Sequence, residues 1–196
     1  YEAGWSNLDA IGLNISPITD PNLTWEKQVT TNIGLDFGFF NDRISGSIEY
    51  YNKVSKDLIM DLAISPSGSV GYLGYTTNIG VVRNYGFDFN LRTANIRKKD
   101  FEWTTSINVG TYRNKLTKLN GADGIITGMR RLEVGSSIYD FYLWEWAGVD
   151  PTDGRAMWYT DDEDGNKVTT KNYASAKRYK QNKSSLPDFE GGFTNY

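Results

Sequence analysis

Ile33-Gly34-Leu35-Asp36-Phe37-Gly38-Phe39-Phe40-Asn41-Asp42-Arg43-Ile44-Ser45-Gly46-Ser47-Ile48-Glu49-Tyr50 lies at the centre of a stretch, residues 28–56, that reads as one β-hairpin. Counting outward from a two-residue turn at Asn41-Asp42 sets Phe39 opposite Ile44, Leu35 opposite Ile48 and Ile33 opposite Tyr50. These side chains share one face, because successive strand residues point to opposite sides. The other face pairs Gly38 with Ser45, Asp36 with Ser47 and Gly34 with Glu49. A slip of one residue would turn every apolar side chain to the polar side, so the pattern predicts register as well as fold.

A second hairpin repeats the design. Phe87, Phe89 and Leu91 on one strand and Phe101, Trp103, Ile107 and Val109 on the next are odd-numbered, while Asp88, Asn90, Arg92, Glu102, Ser106 and Asn108 are even. Matching them needs an odd-length connection, and Lys98-Lys99-Asp100 is read as that turn. Strands of about 10 residues with this alternation, joined in turn by tight turns and long loops, are what a transmembrane β-barrel requires. The fold class expected is therefore all-β: antiparallel up-and-down strands forming part of a barrel wall.

Composition narrows the chemistry. The chain has 196 residues, a net charge of −3, 14% aromatic residues including 13 Tyr and 6 Trp, and neither Cys nor His. Without Cys there is no disulfide or thiolate site, and without His the commonest metal ligand and general base are missing. The mild charge points to neither nucleic acid nor a polybasic membrane patch. A mean hydropathy of −0.52 is compatible with a barrel, since alternate strand residues alone meet lipid and the loops are polar. No apolar run approaches the roughly 18 residues of a transmembrane helix. The chain opens at Tyr1 without a leader, so it reads as an internal piece of a longer protein.

Along the chain, residues 1–27 read as loop, strands are expected at about 28–40, 43–56, 83–95 and 101–114, and a further strand begins at Gly191-Gly192-Phe193. Residues 57–82 read as a non-strand excursion because of Ser65-Pro66-Ser67-Gly68 and Gly71-Tyr72-Leu73-Gly74-Tyr75. Residues 115–186 read mostly as loop, with an internal hairpin from 138–149 and 155–160. Short turns belong in the periplasm and long loops outside, which makes both excursions extracellular. Loops of that size are usually functional.

Several blocks then resemble the SusC/RagA branch of TonB-dependent outer-membrane transporters. They are Asn22-Leu23-Thr24-Trp25-Glu26-Lys27, Asn32-Ile33-Gly34-Leu35-Asp36-Phe37, Phe40-Asn41-Asp42-Arg43-Ile44-Ser45-Gly46-Ser47-Ile48 with Tyr50-Tyr51, Thr77-Asn78-Ile79-Gly80, Asn84-Tyr85-Gly86-Phe87-Asp88, Ala147-Gly148-Val149-Asp150-Pro151 and Ser185-Leu186-Pro187-Asp188-Phe189. Their order holds from about residue 20 onward. The resemblance implies that residues 1–196 are a late part of a barrel of about 22 strands, with the plug domain lying outside this chain. It also implies an outer-membrane location in a Gram-negative bacterium of the Bacteroidota, a SusD-like lipoprotein lid, energy from TonB, and an oligosaccharide or peptide as ligand. Trp144 and Trp146 stand where relatives tend to carry a Gly/Tyr-rich stretch.

The remaining motifs are weighed against plainer roles. Asp161-Asp162-Glu163-Asp164-Gly165-Asn166 has calcium-like oxygen density but incomplete EF-hand spacing, and it reads as a hairpin tip between Trp158-Tyr159-Thr160 and Lys167-Val168-Thr169. Glu145 and Asp150 could form a glycosidase pair, but no catalytic motif surrounds them, so they read as surface carboxylates. Arg97-Lys98-Lys99 reads as a solvated turn rather than a nucleic-acid site, and Arg130-Arg131 as a solvated loop. The loop aromatics Tyr72, Tyr75, Tyr142, Trp144, Trp146 and Trp158 could stack on a ligand, sit in an interfacial girdle or pack within their loops. Tyr72, Tyr75, Trp144, Trp146 and Trp158 are taken as the candidate ligand surface.

The function expected is a non-enzymatic part of a nutrient importer, with no cofactor. Its rivals are a soluble β-sandwich carbohydrate-binding module and a glycan-degrading enzyme. A sandwich would bury the apolar face against a second sheet, whereas a barrel wall leaves it outward.

Overall fold

The alternation of residues 28–56 is realised pair for pair. The computed structural model describes residues 2–4, 12–14, 20–63, 74–120 and 123–196. Strand β3 (Lys27–Phe39) lies against β4 (Ile44–Ala63) with Phe39 opposite Ile44, Leu35 opposite Ile48, Ile33 opposite Tyr50 and Gly34 opposite Glu49. Next come β5 (Gly74–Lys98), β6 (Phe101–Thr111) and its continuation β7 (Arg113–Leu119), and the last strand, β15 (Phe189–Asn195). Their sheet runs β15-β6-β5-β4-β3, with β7 also pairing β5. Near the start, where loop is expected, Glu2–Gly4 (β1) pairs with Gly12–Asn14 (β2).

Register carries each side chain into a row that crosses the sheet. Leu35, Ile48, Phe89 and Val109 form one row, and Phe37, Leu91, Ile107 and Phe193 the next. On the opposite face Asp36, Ser47, Asn90 and Asn108 line up, beside a row that runs Gly34, Glu49, Asp88, Gly110 and Glu190. The apolar face lies open: Leu35 is 64% exposed and Phe193 66%. No described residue layers over it, which removes the β-sandwich.

The turns differ in detail from the sequence reading. The first connection is residues 40–43, with Phe40, Asn41 and Asp42 all at positive φ (56°, 55° and 59°). Asn and Asp tolerate this left-handed region better than most residues, and lengthening the connection symmetrically leaves the register unchanged. The second turn is Lys99-Asp100 rather than three residues, and the extra residue appears instead as a bulge at Asn95, skipped between Ala94↔Thr104 and Ile96↔Trp103. A bulge reverses the alternation beyond it, so Ile96 joins Trp103 on the apolar face despite its even number.

The excursion at 57–82 is not a loop throughout. β4 and β5 stay paired from Ser55↔Val82 to Ala63↔Gly74, with irregularities around Asp57 (φ 57°) and Ile79. Ladder hydrogen bonds outweigh weak local propensity once the strands are already aligned. At 20 and 25 residues, β4 and β5 are about twice the length a membrane crossing needs, so their far halves stand clear of it.

That extension carries the small core. Ile79, Val82, Leu116 and Leu132 are buried, with Leu58, Met60, Leu119, Ile125 and Ile138 packed against them. Residues 115–186, expected as mostly loop, hold further sheets. One orders β14 (Arg178–Ser184), β10 (Asp140–Trp144), β9 (Arg130–Leu132) and β8 (Ile125–Thr127), and the other orders β11 (Trp146–Val149), β12 (Ala156–Asp161) and β13 (Lys167–Thr170). The anticipated internal hairpin is β11 with β12.

Candidate ligand-binding site

The alternation that organises the wall also organises the sheets in the 120–188 connection. Trp144 pairs across to Arg178, and Trp146 to Trp158, so each pair shares a side. Tyr173, in the short 3-10 turn Tyr173–Ser175, lies between them, its ring 5.4 Å from Trp144 and 5.2 Å from Trp158, edge-on to the latter. The Arg178 guanidinium sits 4.0 Å above the Trp144 ring. The turn is tied down because Asn172 Oδ1 accepts from the Ala174 amide at 3.1 Å and Thr160 Oγ1 donates to the Ser175 carbonyl at 2.7 Å. Arg178, Trp144, Tyr173, Trp158 and Trp146 thus form a continuous ridge, with Trp146 64% and Tyr173 50% exposed.

The reverse side of the same sheets is polar. Glu145 is ion-paired to Lys167 and accepts from Gln181 Nε2 at 3.1 Å. Lys167 also rests 4.3 Å from the Tyr159 ring centre and 4.6 Å from that of Tyr179. Asp161 accepts from Tyr179 Oη and Lys177 Nζ, both at 2.6 Å, which holds its carboxyl below the usual carboxylate range. Desolvation, reinforced by that hydrogen bond, pushes the Tyr179 phenol up to about 12, so it stays a neutral donor.

The expected site residues therefore divide. Trp144, Trp146 and Trp158 come together. Tyr72 lies outside the described residues. Tyr75 is placed by its backbone in β5, opposite Leu62, at the far end of the extended hairpin. Tyr173 and Arg178 were missed, since no short-range spacing connects residue 144 with 173 or 178. Tyr142 is engaged by Arg131, and Tyr139 by Arg130, at 5.7 and 5.2 Å, so these arginines pack within the connection.

The acidic run forms the hairpin tip between β12 and β13, while Glu145 and Asp150 are half-buried and ion-paired rather than solvated at the surface. Asp162 caps its own hairpin tip, accepting from the Asp164 and Asn166 amides at 3.0 and 2.8 Å, while Gly165 (φ 83°) makes the turn. Asp150 is held well below the usual carboxylate range by Lys171 and by Thr152, the reverse of what a general acid needs, and Glu145 is committed to Lys167.

The comparison with known families settles what this wall is. The family model described as "TonB dependent receptor-like, beta-barrel" matches residues 4–194. The chain belongs to this family of TonB-dependent receptor β-barrels. Among relatives of this barrel, TonB-dependent receptor SusC of Bacteroides thetaiotaomicron is 37% identical over 138 residues, 63% of this chain and 14% of SusC. TonB-dependent receptor P26 of Formosa agariphila is 29% identical over 164 residues, 78% of this chain and 16% of the receptor. The solved RagAB peptide transporter matches with a TM-score of 0.80 and 33% identity, over 98% of this chain and 22% of the matched one. The SusC/RagA resemblance thus holds in sequence and in fold, and the chain spans 14% to 22% of the length of these relatives. The apolar face of the TonB-dependent barrel is its outer, lipid-side surface, and the Glu49, Asp88 and Glu190 row faces its interior.

Proposed function

We propose that this chain is a stretch of the barrel of a SusC/RagA-type importer in the outer membrane of a Bacteroidota bacterium. The plug and the TonB-contacting segment lie elsewhere in the full protein, a SusD-like lipoprotein closes over the extracellular side, and the imported ligand is an oligosaccharide or a peptide. The observation that carries the reading is the aromatic ridge of Arg178, Trp144, Tyr173, Trp158 and Trp146, built on two small sheets in the connection between two wall strands. An exposed aromatic ridge offers flat apolar faces to sugar rings or peptide side chains, and Arg178 adds a charge-assisted donor. Loops carried by a rigid barrel are where such contacts concentrate. The kinship with a peptide transporter supports the peptide alternative.

The test is uptake and binding by the full-length protein carrying Trp146→Ala with Trp158→Ala. Wild-type barrel yield with ligand affinity reduced at least about tenfold is expected. Unchanged binding of both an oligosaccharide panel and a peptide panel would remove the ridge from the ligand site.

A further inference from the structure

Just beyond the apolar band, the outward face changes character. The row of Ile33, Tyr50 and Phe87 is followed by Thr31, Asn52, Tyr85 and Arg113, and then by Val29, Val54, Arg83 and Lys115, with Lys27 opposite Lys56 one step farther. Both Arg83↔Lys115 and Lys27↔Lys56 are direct cross-strand partners on the same face. Like charges directly opposite one another destabilise a sheet, and here the arrangement occurs twice, in adjacent rows. The chain as a whole is net negative, at −3, so these cations are segregated rather than part of a basic protein.

The cations are also presented rather than neutralised. Among the described residues none of Lys27, Lys56, Arg83 and Lys115 forms an ion pair, whereas neighbouring Arg113 is bound to Asp188 at 3.0 Å. Arg83 is held in place by outward neighbours: its Nε donates to Asn52 Oδ1 at 2.5 Å, its Nη2 donates to Tyr50 Oη at 3.3 Å, and its guanidinium lies 4.8 Å from the Tyr85 ring centre. A guanidinium with one edge so fixed keeps its other donors available in a fork that suits phosphate. Val29 and Val54 share the row of Arg83 and Lys115 and separate Lys27 and Lys56 from the apolar band, while Thr31, Asn52 and Tyr85 separate Arg83 and Lys115 from it.

We propose that Lys27, Lys56, Arg83 and Lys115 form a binding surface for the phosphate groups of an anionic outer-leaflet lipid. The acyl chains lie along the apolar rows below, and the phosphates sit between the paired cations and relieve their repulsion. Continuity with the lipid-side face commits the site to a lipid headgroup rather than a dissolved anion. The inference rests on the outer-membrane placement proposed above.

The test uses the full-length protein, purified from the outer-membrane fraction in detergent, and native mass spectrometry with two probes: bis-phosphorylated lipid A and the same lipid A after phosphate removal. Wild type is expected to bind the phosphorylated form at least about tenfold tighter. The combined variant K27Q/K56Q/R83Q/K115Q is expected to lose that preference, while R97Q/K98Q/K99Q, altered at the opposite end of the strands, keeps it. If the combined variant fails to assemble, R83Q and K115Q alone carry the test, each with an expected loss of about threefold. A preference retained in these variants, equal binding of both probes by wild type, or displacement of the lipid by equimolar inorganic phosphate overturns the proposal while leaving the membrane placement intact. Wild-type protein missing from the outer-membrane fraction overturns both.

Discussion

Asn78 pairs with the backbone of Thr24 as a peptide group would: its Oδ1 accepts from the Thr24 amide at 2.7 Å and its Nδ2 donates to the Thr24 carbonyl at 2.9 Å. Nδ2 also donates to the Asp57 carbonyl at 2.6 Å, where the β4 bulge leaves it without a ladder partner. One side chain thereby fastens the segment entering β3 to the irregular part of the neighbouring hairpin. Asp20, bonded to Thr77, adds a second tie.

Asn78→Ala is expected to free residues 20–26 at a cost of about 2 kcal/mol, since each orphaned polar group carries a desolvation penalty. Hydrogen exchange in the full-length protein should show faster exchange at Thr24 with the central strands unchanged. Asn78→Asp should do no better, because it keeps the acceptor but loses the donor.

The two faces of β4 make a sharp comparison. Ile48→Arg places a charge on the lipid side and should cost roughly 2 to 4 kcal/mol near the midplane, whereas Ser47→Arg faces the interior opposite Asp36 and should be tolerated. Ser47 is a cleaner control than Ser106, which sits opposite Arg92. Heat-modifiable mobility of the assembled barrel reads the difference, and equal losses would contradict the facing of the wall.

Tyr173 holds the ridge together through its ring, in contact with both Trp144 and Trp158. Tyr173→Ala should reduce ligand affinity about tenfold, and Tyr173→Phe should keep it, because the stacking contacts survive loss of the hydroxyl. Similar losses in both would mean the hydroxyl, not the ring, is used.

Acid should loosen the polar side of the same sheets. Asp161 is held below its usual range by Lys177 and Tyr179, so its contribution to stability is complete above that range and is lost as pH falls through the lowered value. Amide exchange over residues 177–181 is expected to accelerate below about pH 4, and Asp161→Asn should show much less of this step.

Expressed alone, these 196 residues should aggregate. Among the described residues the β3 and β15 edges of the sheet have no further strand beside them, and the apolar face is open. A soluble monomer with cooperative unfolding, seen by gel filtration and circular dichroism, would be incompatible with this wall.

The wall was legible in the sequence because the pleat makes facing a local property. Ile33 through Tyr50 show their alternation without reference to any other part of the chain, and the pairing follows from it. Parity across a turn is also local, but the way it is met is not: a three-residue turn and a two-residue turn with a bulge at Asn95 satisfy the same alternation. Which one forms depends on the twist the neighbouring strands accept.

The tertiary structure decided what lies beyond the membrane. Residues 57–63 and 74–82 look like loop by composition, yet they pair because aligned strands below them extend the ladder at little further entropic cost. Tyr173 and Arg178 join Trp144, and Arg83 meets Lys115, across separations that no local period encodes. Alternation sets the side on which a residue lies, but the path of the chain chooses its neighbour there, and both the candidate ligand ridge and the cation pairs are made of such neighbours.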